Sequence, residues 1–114
     1  EGGAFIGGAI APGLETAAKN LFKKAALIKE VAFVLPNSVI GRNTKTNLQS
    51  GIMWGAVDVI DGIFKRIQAE KKWKNVNKII TGGFGNLISP HLQIEHILMP
   101  QLTLDGIRII YNKS

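Results

Sequence analysis

The stretch "IGRNTKTNLQSGIMWG", residues 40–55, decides the fold prediction, because a polar loop changes there into the longest apolar-periodic segment of the chain. Apolar residues recur at helical spacing from this point to about residue 70. The sequence therefore predicts one long helix over residues 46–70. Its apolar surface is wide, which indicates burial on more than one side.

The start of this helix contains a candidate binding residue. Thr46 and Gln49 have the spacing of a capping box, so Thr46 is the predicted N-cap. Thr44 then lies outside the helix with its hydroxyl uncommitted, near unpaired N–H groups and a positive dipole end that attract carboxylate or phosphate. The alternative is that Thr44 is itself the N-cap or an ordinary turn residue.

Three glycines interrupt the predicted helix, namely Gly51, Gly55 and Gly62. Each costs about 1 kcal/mol relative to alanine inside a helix, so their presence needs a packing reason. Close approach of a second subunit or of another helix is one reason. Close packing within a single chain is the other, and the spacing does not decide between them.

Outside this helix the chain alternates between short apolar runs and amphipathic segments. The predicted strands are residues 4–11 and the buried "VNKIIT", residues 76–81, and the predicted helices are residues 14–27 and 102–111. Residues 30–40, broken by Pro36, read as extended structure or loop, residues 85–93 as a weak helix or loop, and residues 94–100 are ambiguous. This alternation predicts a single α/β domain over residues 1–114.

A second candidate site is the glycine pair that follows the predicted strand, in "ITGGFGN", residues 80–86. Gly82 and Gly83 would allow a flat or anionic ligand to approach the backbone without obstruction from a Cβ atom. The pattern is not a complete dinucleotide-binding fingerprint, since Ile88 stands where its third glycine belongs. A plain turn therefore remains the alternative.

Charge and cysteine content limit the classes of partner. The chain has 14 basic and 8 acidic residues, a net charge of +6, which admits a polyanion as a partner. Much of this charge lies close together, however, at Lys65, Arg66, Lys71, Lys72, Lys74 and Lys78. Solvated charge at a helix end explains such a cluster and makes nucleic acid an unlikely partner. The lack of cysteine favours a cytoplasmic location, and no apolar run is long enough to span a membrane.

Catalytic and metal-binding patterns are scarce. Asp58 and Asp61 lie one helical turn apart, but Asp61 and Lys65 have the spacing of an ordinary surface ion pair, which favours a solvated role. His91 and His96 are five residues apart, which does not suit a helical metal pair. No metal site and no complete active site are predicted from these residues.

Four motifs together resemble the C-terminal half of type III pantothenate kinases, a family also known as Bvg accessory factor proteins. The motifs are "GGAIAPGL" (7–14), "IGRNTKTNLQSGIMWG" (40–55), "IITGGFGNLI" (79–88) and "LTLDGIRIIYNK" (102–113). The resemblance implies an actin-like ATPase fold of the sugar-kinase superfamily. It also implies ATP-dependent phosphorylation of pantothenate in coenzyme A synthesis, by a dimer that needs potassium or ammonium.

The resemblance assigns roles to three residues and a helix. Thr44 matches a threonine that contacts pantothenate, Gly82 and Gly83 match the adenosine-side turn, and the helix over residues 46–70 matches the dimer helix. The phosphate-binding segments, the catalytic aspartate and the cation ligand have no match here, so this chain alone is expected to be inactive. A non-catalytic regulator or binding module is the alternative function, and a degenerate homologue kept for dimerisation is a third.

Overall fold

The computed structural model describes residues 2–24, 33–102 and 106–107. Two longer helices come first, α1 (Leu14–Lys24) and α2 (Thr44–Lys71). They are followed by strand β1 (Ile79–Ile80), the short helix α3 (Gly85–Ile88), a 3-10 turn (Ser89–His91) and strand β2 (Ile97–Leu98). The prediction of an α/β chain is confirmed, and residues 33–43 form a loop, as the run broken by Pro36 indicated.

The predicted strand over residues 4–11 is wrong. These residues are neither helix nor strand, and the side chains of Phe5 and Ile10 are almost completely exposed. A strand forms only where a neighbouring strand supplies hydrogen-bond partners, and none of the described residues pairs with this segment. The apolar pattern of residues 4–11 was therefore not sufficient to predict a strand.

The two longer helices were predicted correctly in type and approximate position. α1 begins at Leu14 and its last described residue is Lys24, so the predicted residues 25–27 lie outside the described part of the chain. α2 begins two residues earlier and ends one residue later than predicted. Both helices could be predicted because their apolar residues recur with strong helical periodicity.

The core lies between one side of α1 and one side of α2, and α3 contributes one residue to it. Its buried apolar residues are Leu14, Ala18, Ile52, Met53, Val57 and Ile88. Met53 is completely inaccessible to solvent. The described residues cover only one side of α2, because Val59, Ile63 and Ile67 on another side remain 36–48% exposed. The breadth of the apolar surface is therefore only partly accounted for by residues 2–24, 33–102 and 106–107.

The sheet is smaller than the sequence suggested. β1 and β2 are parallel, with Ile79 opposite Ile97 and Ile80 opposite Leu98. The predicted strand over residues 76–81 is reduced to two residues and is not fully buried, since Ile79 is exposed. In a two-stranded sheet each strand has a hydrogen-bonding neighbour on one edge only, so a long strand would leave many backbone groups without partners. The ambiguous residues 94–100 contain β2.

The predicted C-terminal helix over residues 102–111 lies mostly outside the described residues. Leu102, Gly106 and Ile107 are described, and all three are helical. Of the expected apolar face, Leu104, Ile110 and Tyr111 are not described. None of the described helices is both long enough and apolar enough to cross a membrane.

Candidate functional site

The start of α2 is capped by Asn43, so the prediction of Thr46 as N-cap is wrong. The Asn43 Oδ1 atom accepts a hydrogen bond from the Thr46 backbone N–H at 2.9 Å. In return, the Thr46 hydroxyl oxygen accepts from the Asn43 backbone N–H at 3.1 Å. The capping box is therefore Asn43 with Thr46, and Gln49 is not part of it. Asparagine is among the most favourable N-cap residues, so the Asn-x-x-Thr spacing was a signal already present in the sequence.

Thr44 is the first residue of α2, which differs from both positions considered for it. It is neither two residues before the helix nor the N-cap. Its side chain is exposed, and its hydroxyl makes no hydrogen bond to any residue that the structure describes. An uncommitted hydroxyl at this place is free to bind a ligand.

The electrostatic surroundings of Thr44 favour an anion. The backbone N–H groups of Thr44 and Lys45 have no acceptor among the described residues, because the cap satisfies only later amides of the first turn. The dipole of the 28-residue helix places partial positive charge here. The exposed side chains of Arg42 and Lys45 add two cations. Together these groups suit a carboxylate or a phosphate.

The loop before α2 lies against the first turns of the helix. The Ser50 hydroxyl donates to the Val39 carbonyl oxygen. The Arg42 backbone N–H donates to the Thr46 hydroxyl oxygen at 2.8 Å. Further along α2, the Trp54 indole N–H donates to the Pro36 carbonyl oxygen at 3.2 Å. These bonds hold the loop that leads to Thr44.

The glycine pair after β1 forms a turn, as the sequence indicated. Gly82 has φ of +110°, a left-handed conformation that favours glycine, and the Gly85 N–H donates to the Gly82 carbonyl oxygen at 3.2 Å. Gly82 and Gly83 are exposed, and a Cβ atom added to either would meet nothing within 4 Å. No hydrogen bond among the described residues joins this turn to Thr44.

The interpretation of Asp61 as a solvated surface residue is wrong. This residue is only 5% exposed, and its carboxylate accepts hydrogen bonds from the backbone N–H groups of Gln93, at 3.1 and 3.0 Å, and of Ile94, at 3.2 Å. Lys65 does not pair with Asp61 but donates to the Gln93 side-chain oxygen at 3.3 Å. Asp61 thus holds the segment between the 3-10 turn and β2 against α2. Asp58 is exposed.

Both histidines contact other residues of the fold, although His91 is exposed. His96 Nε2 lies 2.5 Å from the Ser89 hydroxyl oxygen, and its Nδ1 lies 2.8 Å from the Ile94 carbonyl oxygen. The His91 ring contacts the Trp54 ring edge-on, with centroids 5.5 Å apart. Among the described residues, no three acidic, histidine or cysteine side chains are grouped to hold a metal ion.

The structure thus defines a small α/β unit with an exposed threonine at the start of its longest helix. The family model for type III pantothenate kinase matches residues 1–66. A type III pantothenate kinase from Dehalococcoides mccartyi is 42% identical over all 114 residues, which cover 44% of that relative. The proteins of the same name from Moorella thermoacetica and Myxococcus xanthus are 41% and 38% identical, with 100% and 98% of this chain covered.

The chain belongs to the type III pantothenate kinase family and corresponds to its C-terminal part. It spans less than half the length of the curated relatives that it matches, at 44% of the first two and 43% of the Myxococcus protein. These matches favour the kinase interpretation over the regulator or binding module.

Proposed function

We propose that this chain is the substrate-binding and dimerisation part of a kinase that transfers a phosphoryl group from ATP to pantothenate. In the whole protein it would complete an actin-like fold, act in the cytoplasm and take part in coenzyme A synthesis. The observation that carries the proposal is the exposed Thr44 hydroxyl at the capped start of α2, in a chain of this family. The potassium or ammonium requirement comes from the family resemblance, and no described residue is assigned to the cation.

The chemistry at Thr44 is the binding of a small carboxylic acid. Pantothenate carries a carboxylate, hydroxyls and an amide, which match the groups present at the start of α2. The Thr44 hydroxyl donates or accepts one hydrogen bond, while the dipole and nearby cations attract the negative charge. No residue of this chain is assigned as catalytic base or phosphate ligand, so the isolated chain is proposed to be inactive.

Thr44→Ala in the full-length protein is expected to raise the pantothenate KM by about tenfold, the effect of one lost hydrogen bond of about 1.4 kcal/mol. The ATP KM is expected to stay unchanged, because the substitution removes no group assigned to the nucleotide. Steady-state kinetics with each substrate varied measures both constants. Thr44→Ser keeps the hydroxyl and is the matched control, expected to retain most of the affinity. An unchanged pantothenate KM in Thr44→Ala would remove Thr44 from the site.

The turn at Gly82 and Gly83 is proposed to receive the adenosine end of ATP. Its exposure and the open space beside it support this role. Gly83→Val tests this role, because Gly83 does not have a positive φ and a Cβ atom added to it would meet nothing within 4 Å. The ATP KM is expected to rise about tenfold or more from overlap with the nucleotide, while the pantothenate KM and the melting temperature stay close to wild type. An unchanged ATP KM would show that this is a plain turn.

A homodimer through the helix predicted over residues 46–70, now α2, is also proposed. A Cβ atom added to any of the three glycines of α2 would meet nothing within 4 Å, so nothing described in this chain accounts for them. The three glycines follow one side of the helix, and the exposed apolar residues Val59, Ile63 and Ile67 follow the adjoining side, about 100° away around the axis. We define these two adjoining sides together as the outer face: Gly51, Gly55, Val59, Gly62, Ile63 and Ile67. A second copy packed on the outer face would explain both its small residues and its exposed apolar ones.

A further inference from the structure

The loop over residues 39–43 is attached to α2 at two levels. Near its end, the backbone N–H groups of Arg42 and Asn43 both donate to the Thr46 hydroxyl oxygen, at 2.8 and 3.1 Å. Near its beginning, the Val39 carbonyl oxygen accepts a hydrogen bond from the Ser50 hydroxyl. Gly41 lies between these two attachments and directly against the helix.

Gly41 has no room for a side chain. A Cβ atom built there would lie 2.5 Å from the backbone nitrogen of Asn47 and 2.7 Å from its Cα atom. Both are main-chain atoms inside α2, so they cannot rotate away as a flexible side chain would. Reaching an ordinary contact of 3.4 Å would require the loop or the helix start to move by about 1 Å. The glycines of the outer face border open space, so this constraint distinguishes Gly41 from them.

We propose that Gly41 is a positioning residue for the pantothenate site: its lack of a side chain lets the loop lie on the first turn of α2 and so fixes Thr44 and Arg42. This role rests on the proposed function of Thr44. Gly41 acts through Asn43, which caps the helix and is bonded directly to Thr44. A displacement of the loop would disturb the Asn43–Thr46 capping box and move the binding groups away from their substrate.

The test is Gly41→Ala in the full-length protein. The pantothenate KM is expected to rise by about tenfold or more, since a displacement near 1 Å strongly weakens an oriented contact. The kcat and the ATP KM are expected to change by less than about twofold, because binding groups for pantothenate move and no other assigned group does. Val57→Ala is the control, since it removes buried volume in the core about 15 Å further along α2 than Asn47. It should lower the melting temperature and leave the pantothenate KM unchanged.

A second pair of variants tests the same role if Gly41→Ala does not fold. Thr46→Val keeps the shape of the side chain and removes the oxygen that holds Arg42 and Asn43, so it should raise the pantothenate KM. Thr46→Ser keeps that oxygen and should restore the wild-type value. A wild-type pantothenate KM in folded Gly41→Ala, or in Thr46→Val when the alanine variant is unfolded, would overturn the positioning role. Failure of the proposed function would be recognised separately, by a wild-type protein that does not phosphorylate pantothenate or by an unchanged KM in Thr44→Ala.

Discussion

Asp61→Ala is expected to lower the free energy of unfolding by about 2–4 kcal/mol. The Asp61 carboxylate is the acceptor for the backbone N–H groups of Gln93 and Ile94, and it is almost fully buried. Alanine would leave both donors without an acceptor and a small void beside α2. Because the two partners are more than 30 residues away in sequence, the loss would release the segment before β2 from the long helix.

Denaturant unfolding of the intact protein measures the loss, and amide hydrogen exchange locates it. The exchange of the Gln93 and Ile94 amides should accelerate more than that of amides in α1. Asp58→Ala is a matched control on the same helix, exposed and one turn away, and should change stability by less than about 0.5 kcal/mol. Asp61→Asn retains one acceptor oxygen, so its loss of stability should lie between those of Asp61→Ala and Asp58→Ala. Equal stability of the Asp61 and Asp58 alanine variants would contradict the assigned role.

The double variant Gly55→Leu, Gly62→Leu is expected to convert the proposed homodimer into a monomer. Each leucine inserted into a closely packed interface costs at least about 1 kcal/mol, and symmetry places four of them there. A penalty of about 4 kcal/mol raises the dissociation constant by about 10³-fold. Within one chain a Cβ atom added to Gly55 or Gly62 meets nothing within 4 Å, so the fold itself is expected to tolerate side chains there.

Sedimentation velocity of the intact protein over a range of concentrations measures this change. Lys19→Leu is the control, because it adds one exposed leucine on α1, away from the outer face, and should leave the dimer intact. Gly55→Ala and Gly62→Ala would separate disruption of the dimer interface from the change in helix propensity that accompanies the loss of a glycine. Each should stabilise an isolated α2 by up to about 1 kcal/mol through helix propensity. A double-leucine variant that remains dimeric would exclude the outer face as the dimer surface.

Residues near each other in sequence account for most of what could be predicted. The periodicity of α1 and α2, the turn at Gly82 and the family motifs are all local patterns of the amino-acid sequence. The capping box was predicted in the correct region but with the wrong pair of residues, because Thr-x-x-Gln and Asn-x-x-Thr overlap at Thr46. Local spacing identified the region of the cap, while the hydrogen bonds of Asn43 identified the residue.

Residues far apart in sequence account for what was missed. Residues 4–11 have the composition of a strand, but strand formation depends on a partner that a local pattern does not contain. Asp61 resembles a surface residue by its spacing to Lys65, yet its true partners come from beyond β1. β2 could not be recognised within residues 94–100, because two residues give too short a pattern.

The sequence by itself therefore determined the long amphipathic helix and the family, and it supplied Thr44 as the proposed binding residue. These depend on periodicity and short motifs, which are local properties of the chain. Only the tertiary structure decided that Asn43 caps the helix, that Asp61 is a buried anchor and that Gly41 has no room for a side chain. Those facts depend on which atoms the fold brings within contact distance, and sequence separation does not specify that distance.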